Sequence, residues 1–331
     1  MTAMATTGTR GDRRMSGNKK KRRRPDYRAP GTGPEEAGGS SRPAPTGARA
    51  SGGILGSLFR GVPGDSPYPK LRTSFERAVL AVCSSPAIMV SIAVLVFALR
   101  LFLVLLGVPA RGSVFAAVLA LPPVGTVLDL QAAGTIFGDA TGFVIAPAFL
   151  LVRSVVLAVL TGMIVESLRT RRVSARGALG GLRALPPIFG VGVIQLGSVF
   201  MGSLIIGFTG LGLLGVVLVL VAILFAFGYA PAISVREPRG LQWVARKSIR
   251  AARIPGSQNV FLALIYTILA LVILPVLIPG GQEIAVNPGV ATWIGILLVN
   301  LFHVVFLAVY SHRYLYAEAD IPDPPEPRRR S

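Results

Sequence analysis

Cysteine is nearly absent from this chain. Cys83 is the only one in 331 residues, so no disulfide can close within it and the redox compartment is unmarked. Histidine is almost as scarce. His303 and His312 are too few for most metal sites. No His-Glu-x-x-His zinc signature, Gly-x-Ser-x-Gly nucleophile elbow or phosphate-binding P-loop occurs. Gly138-Asp139 lacks the earlier glycine of the intramembrane aspartyl protease pattern, and no second membrane aspartate accompanies it. These absences argue against an enzyme and lead us to expect no catalytic residues, metal or cofactor. No secretory signal is expected, because the chain opens on a polar stretch and no apolar segment follows Arg13-Arg14 closely.

Charge is also sparse, at 15% against about 25% in a typical soluble domain. Hydrophobic residues make up 52%, gathered into runs near the ~20 residues that cross ~30 Å of hydrocarbon. The expected fold is an all-α integral membrane protein with six transmembrane helices, interfacial amphipathic helices and a disordered basic N-terminal tail. The spans run from about Pro86 to Leu106, Gly142 to Leu168, Pro186 to Phe208, Leu211 to Val235, Val260 to Ile278 and Val290 to Tyr314. Spans three and four are joined only by Thr209-Gly210 and should form a hairpin.

The formal charge of +19 would suit a nucleic-acid binder, but its placement fits membrane orientation better. The loop after span two carries Arg169, Arg171, Arg172, Arg176 and Arg183. The loop after span four carries Arg236, Arg239, Arg246, Lys247, Arg250 and Arg253. Loops on the other side hold Arg111, Asp129, Asp139 and Glu283, and the hairpin has no charge. Six crossings with both termini cytoplasmic satisfy the positive-inside rule at every loop. Arginine well in excess of lysine, with abundant Ala, Gly and Val, is a composition associated with GC-rich bacteria. The expected location is therefore a bacterial inner membrane.

Three regions follow. Residues 1–66 form a polar basic tail, with KKKRRR from Lys19 to Arg24 its densest charge, and have too few apolar side chains to order. Residues 67–316 form the membrane domain, and 317–331 a second disordered tail. Before the first span, Leu71, Phe75, Val79 and Val82 recur at helical spacing between charged residues, the pattern of a helix lying in the headgroup region, and Ile54 to Phe59 hint at a shorter interfacial turn. The 113–141 loop is broken at Leu121-Pro122-Pro123. Its apolar stretch from Val114 to Leu121 is too short to span and lies on the outer face or dips in as a re-entrant element.

Candidate intramembrane polar residues are Arg100, Arg153, Gln195, Asn300 and His303. Arg100, near a helix end, can snorkel, whereas Arg153 is near the middle of its run and needs an interior partner. No transmembrane carboxylate is placed to serve it, which leaves backbone carbonyls or a lipid phosphate. Asn300 and His303 lie one turn apart, with Tyr310 further along the same face, and line a polar path or hydrogen-bond between helices, as Gln195 does. Ser198 with Gly202, and Ser203 with Gly207, have the small-xxx-small spacing of close helix packing. Leu241 to Ile254 reads as a basic interfacial helix with Trp243 at headgroup level. Arg239, Arg246, Lys247, Arg250 and Arg253 are its candidate contacts to anionic lipid.

The segment LQWVARKSIRAARIPGSQNVFLALIYTIL, Leu241 to Leu269, resembles the bacterial glycerophosphoryl diester phosphodiesterase membrane-domain-like group. Ala245, Ser248 and the basic residues after them carry the likeness, over under a tenth of the chain. The resemblance implies six helices with a cytoplasmic amphipathic helix before a long apolar span. The catalytic domain attached in some members is absent, so no activity is implied.

Two functional readings follow. One is a non-enzymatic membrane component that contacts anionic phospholipid or a membrane protein partner through its basic cytoplasmic face, with nucleic acid not expected. The other is a transporter or channel for an anionic or lipidic substrate, its path lined by Arg153, Gln195, Asn300 and His303.

Overall fold

A computed structural model of the chain describes residues 67–105, 118–128, 139–254, 257–277 and 290–325. The basic stretch at Lys19 to Arg24, the turn at Ile54 to Phe59, and Arg111, Asp129 and Glu283 lie outside the described residues, as does the Arg100 side chain.

The described chain is helical throughout, with no strand among the described residues. In chain order the helices are α1 (Leu71–Cys83), α2 (Pro86–Leu105), α3 (Asp139–Thr170), α4 (Ala175–Leu182) and α5 (Leu185–Thr209). They continue with α6 (Gly212–Phe227), α7 (Ala230–Arg236), α8 (Leu241–Ala252), α9 (Asn259–Leu277) and α10 (Val290–Ala317). Four stretches are long and apolar enough to cross a membrane: Ala146–Thr170, Leu185–Thr209, Gly212–Arg236 and Trp293–Ala317. A fifth is available if α1 and α2, bent by 75° at their junction, count as one broken span. Pro86, at the start of α2, cannot donate into α1, which sets that break. The protein is thus a helical membrane protein with four or five such spans among the described residues. The expected first span is one arm of a bent pair, and the expected fifth is the shorter apolar helix Asn259–Leu271.

Helix α1 is amphipathic, but its inward face differs from the expected stripe. Ser74, Ala78 and Val82 are buried, while Val79 is turned outward. The helix lies across α10, where Phe75 meets Phe306 edge-on, and across α3, where Ser167 Oγ donates to the Ala81 carbonyl at 3.3 Å.

The hairpin of α5 and α6 turns as expected. Gly210 caps α5 in the left-handed conformation at φ 66°, which a side chain would strain. Phe208 (90% exposed) and Leu213 (73%) crown a bare apolar tip, which hydrocarbon accepts and water does not. Of the two small-residue pairs, the first packs: a Cβ on Gly202 would lie 2.6 Å from Val219. The second is not at an interface, since Gly207 faces open space. The tightest approach is between α3 and α4, where side chains on Gly162 or Gly181 would run into the carbonyls of Gly177 and Ala158. Glu166 closes that turn by accepting from the Ser174 N–H at 2.8 Å and the Ser174 hydroxyl at 2.7 Å.

Candidate functional site

Segment 118–128 is the irregular stretch around Pro122-Pro123, and it is buried. Val118 is wholly covered, and Leu119, Ala120, Leu121 and Val124 are each under 8% exposed. It is packed inside the helix bundle. Only 124–128 make a helical turn, so the backbone before them needs partners from elsewhere.

Those partners are side chains of α3, α9 and α10. Arg153 on α3 donates through Nη1 to the Val118 carbonyl. The Leu119 N–H donates to Asn300 Oδ1 on α10, and Asn300 turns its own amide N–H onto the Ile296 carbonyl at 2.8 Å. The Leu121 N–H donates to the Tyr266 hydroxyl on α9 at 2.8 Å, and that oxygen lies 3.0 Å from His303 Nδ1. Because Tyr266 accepts from Leu121, its own proton is free to go to His303. A side chain on Gly125 would meet the Arg153 stem at 3.0 Å, so glycine there lets the segment lie against the arginine.

Three of the sequence candidates therefore converge, on a stretch of backbone. Tyr310 does not join them; it packs edge-on against Tyr229 at 5.3 Å. Gln195, 1% exposed, reaches the other side of the segment and lines a cavity of about 20 Å³ beside Leu121 and Pro122. Such a space holds roughly one water. Gln195 Oε1 has no hydrogen-bond partner among the described residues.

A second polar cluster, which the sequence reading missed, lies at the other end of α10. Arg313 is 1% exposed. It donates to the carbonyls of Pro69 (2.8 Å) and Ser257, and more distantly to Asn259 Oδ1 at 3.3 Å and the Tyr229 hydroxyl at 3.4 Å. Tyr68 lies under the guanidinium at 4.9 Å and donates to the Ala251 carbonyl at 2.9 Å. Burial, the largest influence on Tyr68, pushes its hydroxyl pKa well up and keeps it a donor. One arginine thus ties the chain before α1 to the α8–α9 turn and the α6–α7 junction. The available signal was an arginine between Tyr310 and Tyr314 inside an apolar helix.

The lipid-contact candidates divide. Arg239, Arg246 and Arg253 are exposed. Lys247, 3% exposed, is turned inward between Glu237 Oε1 (2.6 Å) and Asp323 Oδ1 (2.8 Å), and Arg250 donates to the Asp323 carbonyl at 2.6 Å. Arg236 pairs with Glu318 at 3.0 Å. Residues 318–325, part of the expected disordered tail 317–331, are held to α7 and α8 by these bonds, and Ile321 is buried.

No family model matches this chain, and neither the curated proteins nor the solved structures contain a match.

Proposed function

We propose that this is a non-enzymatic, six-span protein of a bacterial inner membrane, with both termini cytoplasmic, whose basic end binds anionic phospholipid. The observation that carries the reading is a set of exposed arginines at one end of the bundle. Arg169, Arg171, Arg172, Arg176 and Arg183 come from the α3–α4 region and the turn into α5; Arg239, Arg246 and Arg253 come from α8 and its approach. The two groups share one end because a side chain on Gly190, early in α5, would meet Leu241 at the start of α8 at 2.8 Å. The nearby acids Glu166, Glu237 and Glu318 are engaged in bonds of their own. Each unneutralised Lys or Arg beside an anionic leaflet contributes about 1 kcal/mol. The six-span count takes α2 and α9 as crossings, in keeping with the likeness of Leu241 to Leu269 to six-helix proteins.

Native mass spectrometry of the detergent-released protein tests this. Phosphatidylglycerol should be retained in preference to phosphatidylethanolamine, and replacing Arg171, Arg172, Arg176, Arg246 and Arg253 by Gln should abolish the preference. Equal retention of both lipids by the wild type sinks the proposal. The transport alternative is less favoured, because Arg153, Asn300 and Tyr266-bound His303 are committed to holding segment 118–128.

A further inference from the structure

Asp323 lies where several cations converge. Lys247 Nζ is 2.8 Å from its carboxylate, and the Arg250 guanidinium holds its carbonyl at 2.6 Å. Arg239 stacks on Trp243 at 4.6 Å, and Lys247 lies over the same ring at 4.7 Å. All three cations, with Lys247 foremost, hold the Asp323 carboxyl below its ordinary range, so all three act on one carboxylate. Trp243, 8% exposed, has an indole N–H with no partner among the described residues. The only acid facing the cations from α8's own approach is Glu237, which shares Lys247 at 2.6 Å.

We propose that Arg239, Lys247 and Arg250, on the Trp243 platform, form a binding site for a phosphate monoanion or diester, and that Asp323 of the C-terminal segment occupies it as an internal surrogate. This rests on the proposed lipid-binding function and adds a specific phosphate site beside its exposed arginines. A phosphate oxygen takes the place of the Asp323 carboxylate, and the C-terminal segment then lifts from α8. The geometry favours exchange over permanent closure. Lys247 is fixed and buried, whereas the Asp323 side chain is 60% exposed, and an ion pair with one exposed member contributes little. Arginine's fork and lysine's point charge together suit a phosphate at least as well as a lone carboxylate.

The test uses the full chain with Cys83→Ser and a spin label on Pro325→Cys, which is exposed and two residues from Asp323. In phosphatidylcholine nanodiscs the label should be immobile. In phosphatidylglycerol nanodiscs its mobile fraction should rise several-fold, and in phosphatidylcholine nanodiscs with millimolar inorganic phosphate a rise would identify free phosphate as a further ligand. Asp323→Asn, which leaves every cation in place, should raise the label's mobile fraction in all lipids and raise phosphatidylglycerol retention at least twofold. Lys247→Gln with Arg250→Gln should free the label too, but lower retention. A label that stays immobile with both phosphatidylglycerol and phosphate, or retention unmoved by Asp323→Asn, overturns the site. If that happens while the wild type still prefers phosphatidylglycerol, the broader function stands and only this site falls. Loss of the wild-type preference strikes the function itself.

Discussion

Two buried arginines solve one problem in different parts of the bundle. Arg153 and Arg313 are both nearly sealed from solvent, and each directs its guanidinium at backbone carbonyls. Arg153 serves the buried segment 118–128, sharing that task with Asn300 and Tyr266. Arg313 joins pieces of chain as far apart as Pro69 and Ser257. Lys247 stands in contrast, since it is paired with two carboxylates near the surface of the basic end. The difference teaches where each type of partner is found. Carbonyls freed where helices end or break are the natural acceptors inside the bundle, whereas carboxylates are confined to its edge, where their desolvation costs less.

The comparison can be broken by substitution. Arg313→Leu should have the largest effect, because it orphans several buried acceptors at once. A loss of about 3–5 kcal/mol is expected, read as a collapsed melting transition in detergent, with Arg313→Lys intermediate because it keeps charge without the fork. Arg153→Met should cost less, roughly 2–3 kcal/mol, since Asn300 and Tyr266 still hold the segment. If Arg153→Met proved as damaging as Arg313→Leu, segment 118–128 would be as central to stability as the basic end. Asn300→Leu should cost about 1–3 kcal/mol and sharply speed hydrogen exchange at Leu119 while leaving Ser257 protected. Unchanged exchange at Leu119 would remove Asn300 from the cradle.

The smallest effect concerns pH. Asp323 faces Lys247, Arg239 and Arg250, with Glu237 competing for Lys247, and its pKa is depressed chiefly by the hydrogen bond from Lys247. A depressed carboxyl pKa contributes stability that is present above the ordinary carboxylate range and lost as pH falls through the folded value. The C-terminal segment should therefore loosen in acid and stay docked at neutral pH, by about 0.2–1 kcal/mol at most for so exposed an acid. Limited proteolysis after Pro325 across a pH series reads this directly, and equal cleavage at all pH values would remove Asp323 from the clasp.

Much of the frame was legible in the sequence, because lipid imposes simple rules. Apolar runs of sufficient length marked the helices, and Thr209-Gly210 marked the hairpin, since a glycine can take the left-handed cap that a tight reversal needs. The polarity of Arg153, Asn300 and His303 in apolar surroundings marked them as needing partners. Their partners were not legible. Val118, Leu119 and Leu121 bond through backbone atoms, and every residue carries those, so no letter in the sequence singles them out. Tyr266 and Arg313 escaped for a related reason: one polar residue in an apolar helix gives no periodic signal.

Sequence by itself thus determined that the chain is helical, which runs are apolar, and that arginine dominates its polar loops. Tertiary structure decided that segment 118–128 lies inside, that the closest helix contact runs through Gly162 and Gly181 and not through Gly207, and that Lys247 faces Asp323. Apolar length and net charge are sums over neighbouring residues, so they can be read locally. Hydrogen-bond partners and counterions are chosen between residues far apart in the chain, and only the packed bundle brings those together.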